Sequence, residues 1–437
     1  MARSRTRTSD FGASRRESHD ASAFYERFDK PTVSTDVAVA APGPVSDPIV
    51  NGDARSMTQV ADNSVALVVT SPPYFAGKQY EVEFERDGVP SSYLEYLDML
   101  TAVFAECVRV LEPGGRIAVN VANLGRKPFR SLSADVTTIL QDGLGLLLRG
   151  EVIWRKADGA SGNCAWGSFR RATNPVLRDT TERIIIAGKG RFDRVPDAAT
   201  RARLGLPSVS DISADEFIAA TLDVWEIAPE SARRVGHPAP FPVELPERLI
   251  RLYTYRNDLV LDPFLGAGST LVAAARNGRR YVGYDTDPGY CSLAAQRVAA
   301  AGTAPVEPSE SIGAVAERVL LAADFTIVRR KARVAGMVVP FVVADRGGRK
   351  WHVELSGGFT TTMSGLARTD AVLRGLGRAA VLAGQKVERV LLLTSHLPRR
   401  GTDPFRLLQA SDPALFVGAV ELADEPMAVA RLRDLAQ

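Results

Sequence analysis

Cysteine is scarce: three residues in 437, Cys107, Cys164 and Cys291, lie far apart and form no CxxC pair. That spacing argues against a disulfide framework and a structural zinc site, and suits three buried apolar side chains. Only four histidines are present; His352 and His396 have no partner at ligand spacing, so no metal site is expected. No run of about 18 or more uncharged apolar residues is available to cross a bilayer. The first arginines lead into Ser, Asp and Glu instead of an apolar stretch, so no secretory signal is expected and the chain reads as cytoplasmic. Charge of one sign is not in large excess either. A formal net charge of +3, from 54 Lys and Arg against 51 Asp and Glu, leaves nucleic-acid binding to local grouping and not to the total.

What is present is a globular composition, 45% hydrophobic and 24% charged, on a chain long enough for one large and one smaller unit. Residues 1–45, rich in Arg, Ser, Ala and Pro, read as a flexible tail. From 46 to 301 short β-branched runs (Val65 to Val69, Arg116 to Val121, Gly150 to Trp154, Arg183 to Ala187, Leu259 to Asp262, Tyr281 to Tyr284) alternate with helical spacings (Tyr93 to Val110, Leu245 to Tyr255, Ser269 to Asn277). This is the rhythm of an α/β sheet. Pro113-Gly114-Gly115 reads as a turn before a strand. The Gly-, Ser- and Arg-rich stretch 157–174 reads as a long exposed loop, and 189–222 as an irregular polar stretch. Residues 302–310, GTAPVEPSE, have the composition of a linker, and 311–437 read as a second, small α/β domain.

Two loops carry the chemistry. Asp262-Pro263-Phe264-Leu265-Gly266-Ala267-Gly268-Ser269-Thr270 follows an apolar strand and opens a helix; its glycines suit a tight turn and close approach of backbone to a ligand. Asp285 ends the next strand close to twenty residues later, where a carboxylate can accept from two ribose hydroxyls. Two glycines after a strand can also be only a turn. The full GxGxxG cradle is missing, which favours a cofactor without a pyrophosphate, such as S-adenosylmethionine, over a dinucleotide. The second loop, Thr70-Ser71-Pro72-Pro73-Tyr74, follows Val65 to Val69, and its two prolines fix a rigid turn at the carboxyl end of a strand. By spacing alone such prolines more often just end a strand.

Taken with the stretch His237-Pro238-Ala239-Pro240-Phe241-Pro242, these two loops resemble the site-specific DNA amino-methyltransferases. The order, TSPPY ahead of DPFLGAGST, resembles the circularly permuted β class, and the likeness runs from about Asp53 to Val298. It implies a Rossmann-like S-adenosylmethionine-dependent methyltransferase fold with a target-recognition insert at about 157–222. It also implies that Asp53, Ser71, His237, Phe241, Asp262, Phe264, Gly266, Gly268, Ser269 and Asp285 hold the cofactor, and that Ser71, Pro72, Pro73 and Tyr74 form the catalytic loop.

An exocyclic amine has its lone pair delocalised into the ring, so acceptors must hold its protons while the nitrogen attacks the methyl group in line. The Ser71 hydroxyl and the Pro72 carbonyl are such acceptors, and Tyr74 offers a ring for a flipped base. Ser71 in the first position, and the loop Asn163 to Phe169 followed by Asn174-Pro175, resemble the cytosine-N4 members; adenine N6 is the alternative. An RNA or protein methyltransferase, or a non-catalytic DNA-binding protein, ranks lower. The expected partner is double-stranded DNA, with a cognate restriction system open, and Arg155, Lys156, Trp166, Arg170, Arg171 and Arg178 are the candidate DNA contacts. In 311–437, Glu317, Val338 to Ala344, Gly347-Gly348 and Trp351 to Ser356 faintly resemble a PD-(D/E)xK nuclease. Pro340 and Ser356 stand where that chemistry needs an acid and a lysine, which predicts an inactive nuclease-like module.

Overall fold

A computed structural model describes residues 32–41, 43, 45, 47–73, 92–123, 129–156, 172–175, 177, 180–227, 229–230, 241–301, 311–357, 365–385, 387 and 389–436. The elements in chain order are β1 (Ile49–Asn51), β2 (Val65–Thr70), α1 (Tyr93–Val110), β3 (Leu111–Val121), α2 (Leu132–Thr138), β4 (Leu147–Arg155), β5 (Thr181–Gly188), α3 (Ala198–Arg203), α4 (Ala214–Ala220), β6 (Val224–Glu226), α5 (Glu244–Tyr253), β7 (Leu259–Asp262), α6 (Ser269–Arg276), β8 (Arg280–Asp285) and α7 (Pro288–Ala301). After these come α8 (Ile312–Ala322), β9 (Thr326–Val334), β10 (Met337–Ala344), β11 (Lys350–Ser356), α9 (Thr369–Gly384), β12 (Val390–Thr394), α10 (Asp403–Ala410), β13 (Gly418–Glu421) and α11 (Glu425–Ala436).

Strands β1 to β8 form one sheet in the order β1-β8-β7-β2-β3-β5-β4-β6. All six residues of β2 are buried, as a parallel strand covered on both faces requires, which is why its sequence is an unbroken apolar run ending in Thr70. Side chains alternate across the sheet. Val65 and Val68 pack with Phe104, Val136 and Val282 on one face; Leu67 and Val69 pack with Leu245, Leu249 and Ala273 on the other. β1, β8, β7, β2 and β3 run parallel, while β5 is antiparallel to both β3 and β4. From β2 the chain moves outward to β3, and from β7 it moves the other way to β8. The sheet therefore reverses its winding between β7 and β2, the place where open α/β sheets bind ligands outside the carboxyl ends.

Two expectations change. Pro113-Gly114-Gly115 lies within β3, not before it. Val65 pairs with Leu111 and Leu67 with Arg116, so these residues bulge out of register. Gly114 sits at φ +78°, and a Cβ there would come within 2.1 Å of the Asp193 carbonyl.

The stretch 157–222 is also not one insert beside the site. Thr181–Gly188 is the sheet strand between β3 and β4, and Gly188 pairs with Arg116 at the amino end of β3. The chain beyond it is tied down at that end. Arg194 binds Glu112 and Asp258, and Arg201, 1% exposed, binds the same two carboxylates. Asp211 meets Arg279 at 2.6 Å, and Arg251 pairs with Glu216. These charges are buried because each has a counter-ion and further hydrogen bonds. Residues 189–216 thus lie at the opposite end of the sheet from the two loops. A target-recognition role for them loses its geometric basis.

Strands β9 to β13 form a second sheet, β13-β12-β11-β10-β9. β9, β10 and β11 are antiparallel, and β11, β12 and β13 parallel. Its core gathers α8 and α11 against Phe341, Val343, Trp351, Val353 and Leu391. No helix among the described residues is long and apolar enough to cross a membrane.

Candidate active site

The carboxyl ends of β1, β8, β7, β2 and β3 converge, and hydrogen bonds lock them to one another. Thr70 donates from Oγ1 to Asp262 Oδ1 at 2.7 Å, joining β2 to β7 across the reversal point. The Phe264 amide donates to the same oxygen at 3.2 Å, and Thr270 Oγ1 donates to the Val69 carbonyl at 3.2 Å. Asp262 is fully buried, and among the described residues it has no cation against it and Oδ2 finds no hydrogen-bond partner. Burial pushes its pKa up to about 7, against the hydrogen bonds from Thr70 and its neighbours that favour the charged form.

Asp285 ends β8 beside this loop. Its Oδ2 accepts from the Gly266 amide at 2.8 Å and its Oδ1 from the Asp287 amide at 2.9 Å. Burial raises its pKa, and these backbone donors oppose the shift. One acceptor position per oxygen is thereby used and others remain for a ligand's hydroxyls. The Asp285 carbonyl accepts from the Gly52 amide and from Asn51 Nδ2, both at 3.0 Å, which clamps the end of β1 to this turn.

Gly266 and Gly268 sit at φ +47° and +76°. At Gly268 a Cβ would also come within 2.7 Å of Ala294 Cβ on α7, so close helix packing is a second reason for glycine there. Ser269, buried at the start of α6, donates from Oγ to the Phe241 carbonyl at 2.9 Å, which draws the approach to α5 onto the same loop. Asp53 follows β1 at this end, but its carboxylate accepts from the Arg55 amide and Nε at 2.8 Å each, and the Arg55 hydrogen bond holds its pKa low.

On the other side of β2, Ser71 donates from Oγ to the Asn120 carbonyl at 3.0 Å. A hydroxyl has one proton, so toward any further group this oxygen acts as an acceptor. Pro72 is buried and Pro73 half-buried behind it. Asn120, 2% exposed on β3, donates from Nδ2 to Glu182 Oε2 at 2.5 Å, and Lys156 Nζ donates to Glu182 Oε1 at 2.9 Å. Asn120 Oδ1 is buried with no partner among the described residues.

The structure therefore brings Ser71, Pro72, Pro73, Asp262, Phe264, Gly266, Gly268, Ser269, Phe241, Asp285 and Asp53 to one end of one sheet. Of the basic residues expected on DNA, Lys156 turns inward to Glu182 and Arg155 makes an exposed ion pair with Glu226. Tyr74, Trp166, Arg170, Arg171, Arg178 and His237 lie outside the described residues. Asn120 and Asn51 were missed by the sequence reading. The one signal for Asn120 is a polar residue near the carboxyl end of the otherwise apolar run from Ile117 to Val121.

Residues 65–296, more than half of the chain, match the family model for N6 and N4 methyltransferases described as DNA methylase. The chain belongs to this DNA methylase family. Among curated relatives, the Type II methyltransferase M.MjaI of Methanocaldococcus jannaschii is 31% identical over 272 residues, covering 55% of this chain and 86% of that protein. The Type II methyltransferase M.BglII of Bacillus subtilis is 30% identical over 254 residues, covering 57% and 68%. The solved structure of TTHA0409 from Thermus thermophilus has 32% identity and a TM-score of 0.43, covering 57% of this chain and 93% of that one.

The methylase family takes its methyl group from S-adenosylmethionine, and the end of this sheet fits such a group. The Asp285 oxygens face the loop of Gly266 with acceptor capacity left, and the half-buried Phe264 packs against the core beside them.

Proposed function

We propose that this methylase modifies the exocyclic N4 of cytosine in double-stranded DNA, with Ser71, Pro72, Pro73 and Tyr74 at the amine and Asp285, Phe264, Gly266 and Asp53 around the cofactor. The observation that carries the reading is the Ser71 hydroxyl, held at the carboxyl end of β2 with its proton given to the Asn120 carbonyl. The bound cofactor supplies an electrophilic methyl group. Ser71 Oγ and the Pro72 carbonyl accept hydrogen bonds from the amino protons and concentrate the nitrogen lone pair toward the methyl carbon. As the nitrogen–carbon bond formed, the sulfur–methyl bond would break with its electron pair left on sulfur, and the surplus amino proton would leave along one of these hydrogen bonds and pass to water. A base within the duplex must be flipped out to reach this depth, and Tyr74 is the residue assigned to stack on it.

Ser71, in place of an acidic or amide side chain, supports cytosine over adenine through its likeness to cytosine-N4 enzymes. Two relatives carry Type II names, which supports a cognate restriction enzyme as a partner of this chain too. The test is expression in a methylation-deficient bacterial host, digestion of its DNA to nucleosides and mass spectrometry, with Ser71→Ala and Tyr74→Ala as controls. N4-methylcytosine present with the wild-type chain and lost in the controls is the expected result. N6-methyladenine in its place overturns the choice of base, and methylation that persists undiminished in both controls overturns the assigned loop.

A further inference from the structure

The charge of the chain is unevenly divided. Residues 311–437 hold eighteen Lys and Arg against twelve Asp and Glu, whereas residues 1–310 hold thirty-six against thirty-nine. Within the second sheet the excess is polarised from one edge to the other. The β13 edge ends in Glu421, with Asp424 and Glu425 close behind, while the β9 edge reads Thr-Ile-Val-Arg-Arg-Lys-Ala-Arg-Val. Neither β9 nor its neighbour β10 contains an acidic residue.

Arg329, Lys331 and Arg333 on β9, and Lys350 on β11, are all exposed. None has a carboxylate partner among the described residues, although most other arginines of this unit do, including Arg318, Arg330, Arg346, Arg349, Arg374 and Arg378. Pairing across the sheet fixes how some of these cations are arranged. Arg329 pairs with Val342, which pairs with His352, so these three side chains share one face. Lys350 precedes His352 by two residues on β11 and therefore stands on that face too. Charges on an edge strand also keep a second strand from pairing there. Edge protection does not account for Lys350 on an interior strand, nor for two adjacent strands without an acid.

We infer that the exposed cations of the β9 edge, with Lys350 on β11, bind the phosphate backbone of double-stranded DNA next to the methylated site, holding the substrate without reading its sequence. This rests on DNA being the substrate. Long side chains with exposed, unpaired cations spread along an extended strand suit a regular line of phosphates, and such contacts position a duplex while carrying no base information.

The experiment compares the full-length chain with an Arg329→Gln/Lys331→Gln/Arg333→Gln/Lys350→Gln variant. Binding to a fluorescent duplex of random sequence is followed by anisotropy over a salt series without cofactor. Each phosphate contact contributes about 0.9 to the slope of log affinity against log salt. The variant is expected to lose about 2 to 4 from that slope and at least about tenfold in affinity at low salt. Its circular dichroism and its methyl transfer at saturating DNA are expected to stay those of the wild type. A second variant, Arg406→Gln/Arg431→Gln/Arg433→Gln on α10 and α11, is expected to keep the wild-type slope.

An unchanged slope in the first variant overturns the inference, as does an equal loss in both. A wild-type chain that does not bind duplex DNA overturns it too. A wild-type chain that binds with a slope reduced only in the first variant, but methylates no base in DNA, leaves the surface standing and overturns the proposed function instead.

Discussion

The two ends of the eight-stranded sheet bury carboxylates in opposite ways. At the amino ends Glu112 and Asp258 are met by Arg194 and Arg201, and Asp211 by Arg279 and Arg251. Among the described residues at the carboxyl ends, Asp262 has no cation, Asp285 is held by backbone amides alone, and two oxygens, Asp262 Oδ2 and Asn120 Oδ1, lack partners. Burial raises the pKa of both Glu112 and Asp262, but only around Glu112 do guanidinium groups pull it back. One end is closed by its own counter-ions, and the other keeps acceptor capacity for molecules that come and go. The difference assigns stability to the first and chemistry to the second.

The largest effect is expected from breaking the closed end. Arg279→Met removes the fully buried partner of Asp211 and leaves that carboxylate to Arg251 at 3.8 Å. Loss of one member of a buried pair costs about 3–5 kcal/mol, and urea unfolding should show it as a lower midpoint. If the midpoint barely moves, the network is not what holds residues 189–216 in place.

Ser71→Ala sharpens the contrast from the other side. It removes an acceptor at the reacting amine and is expected to lower kcat by about 10²–10³-fold, with unfolding free energy changed by less than about 1 kcal/mol. A large loss of stability with little loss of rate would reverse the roles of the two ends.

The same contrast governs what could be read in advance. β2 and the loop after β7 were legible because burial on both faces leaves only β-branched and apolar residues, and because a tight turn at a positive φ leaves little choice but glycine. The closed end was not legible. Arg194, Arg201 and Asp211 sit in a polar, irregular stretch that resembles a solvated recognition segment, and only tertiary pairing shows Arg201 to be 1% exposed. Pro113-Gly114-Gly115 looked like a turn because a bulge uses the same residues; the register shift against β2 distinguishes them. The sequence offers a turn and a ligand as reasons for Gly268 but not the third, the packing against Ala294 on α7, which is separated from it in sequence by a helix and a strand. Asn120 went unnoticed because one amide in an apolar run has no periodicity to mark it.

Asp285→Ala tests the open end more gently. The change removes a carboxylate that two amides and the cofactor's hydroxyls would share, an interaction of about 1.5–3 kcal/mol. The KM for S-adenosylmethionine should rise about 10–100-fold while kcat at saturating cofactor stays within a few-fold of wild type. A fall in kcat with an unchanged KM would place Asp285 at the methyl transfer itself.

The smallest effect is a pH dependence carried by Asp262 at the open end. Asp262 has its folded pKa raised to about 7, above the unfolded value of about 3.9. Between these values the folded chain holds a proton that the unfolded chain has released. The group's contribution to stability is therefore complete below about pH 4 and is lost as pH rises through about 7, by up to about 1.4 kcal/mol per pH unit. Asp262→Asn keeps an acceptor for Thr70 and cannot titrate, so other carboxylates cancel when the two proteins are compared. The wild-type unfolding midpoint should fall relative to that of the Asn variant between about pH 5.5 and 6.5. Parallel curves over that range would mean that Asp262 is already ionised in the folded chain, and that the open end compensates buried charge as fully as the closed one.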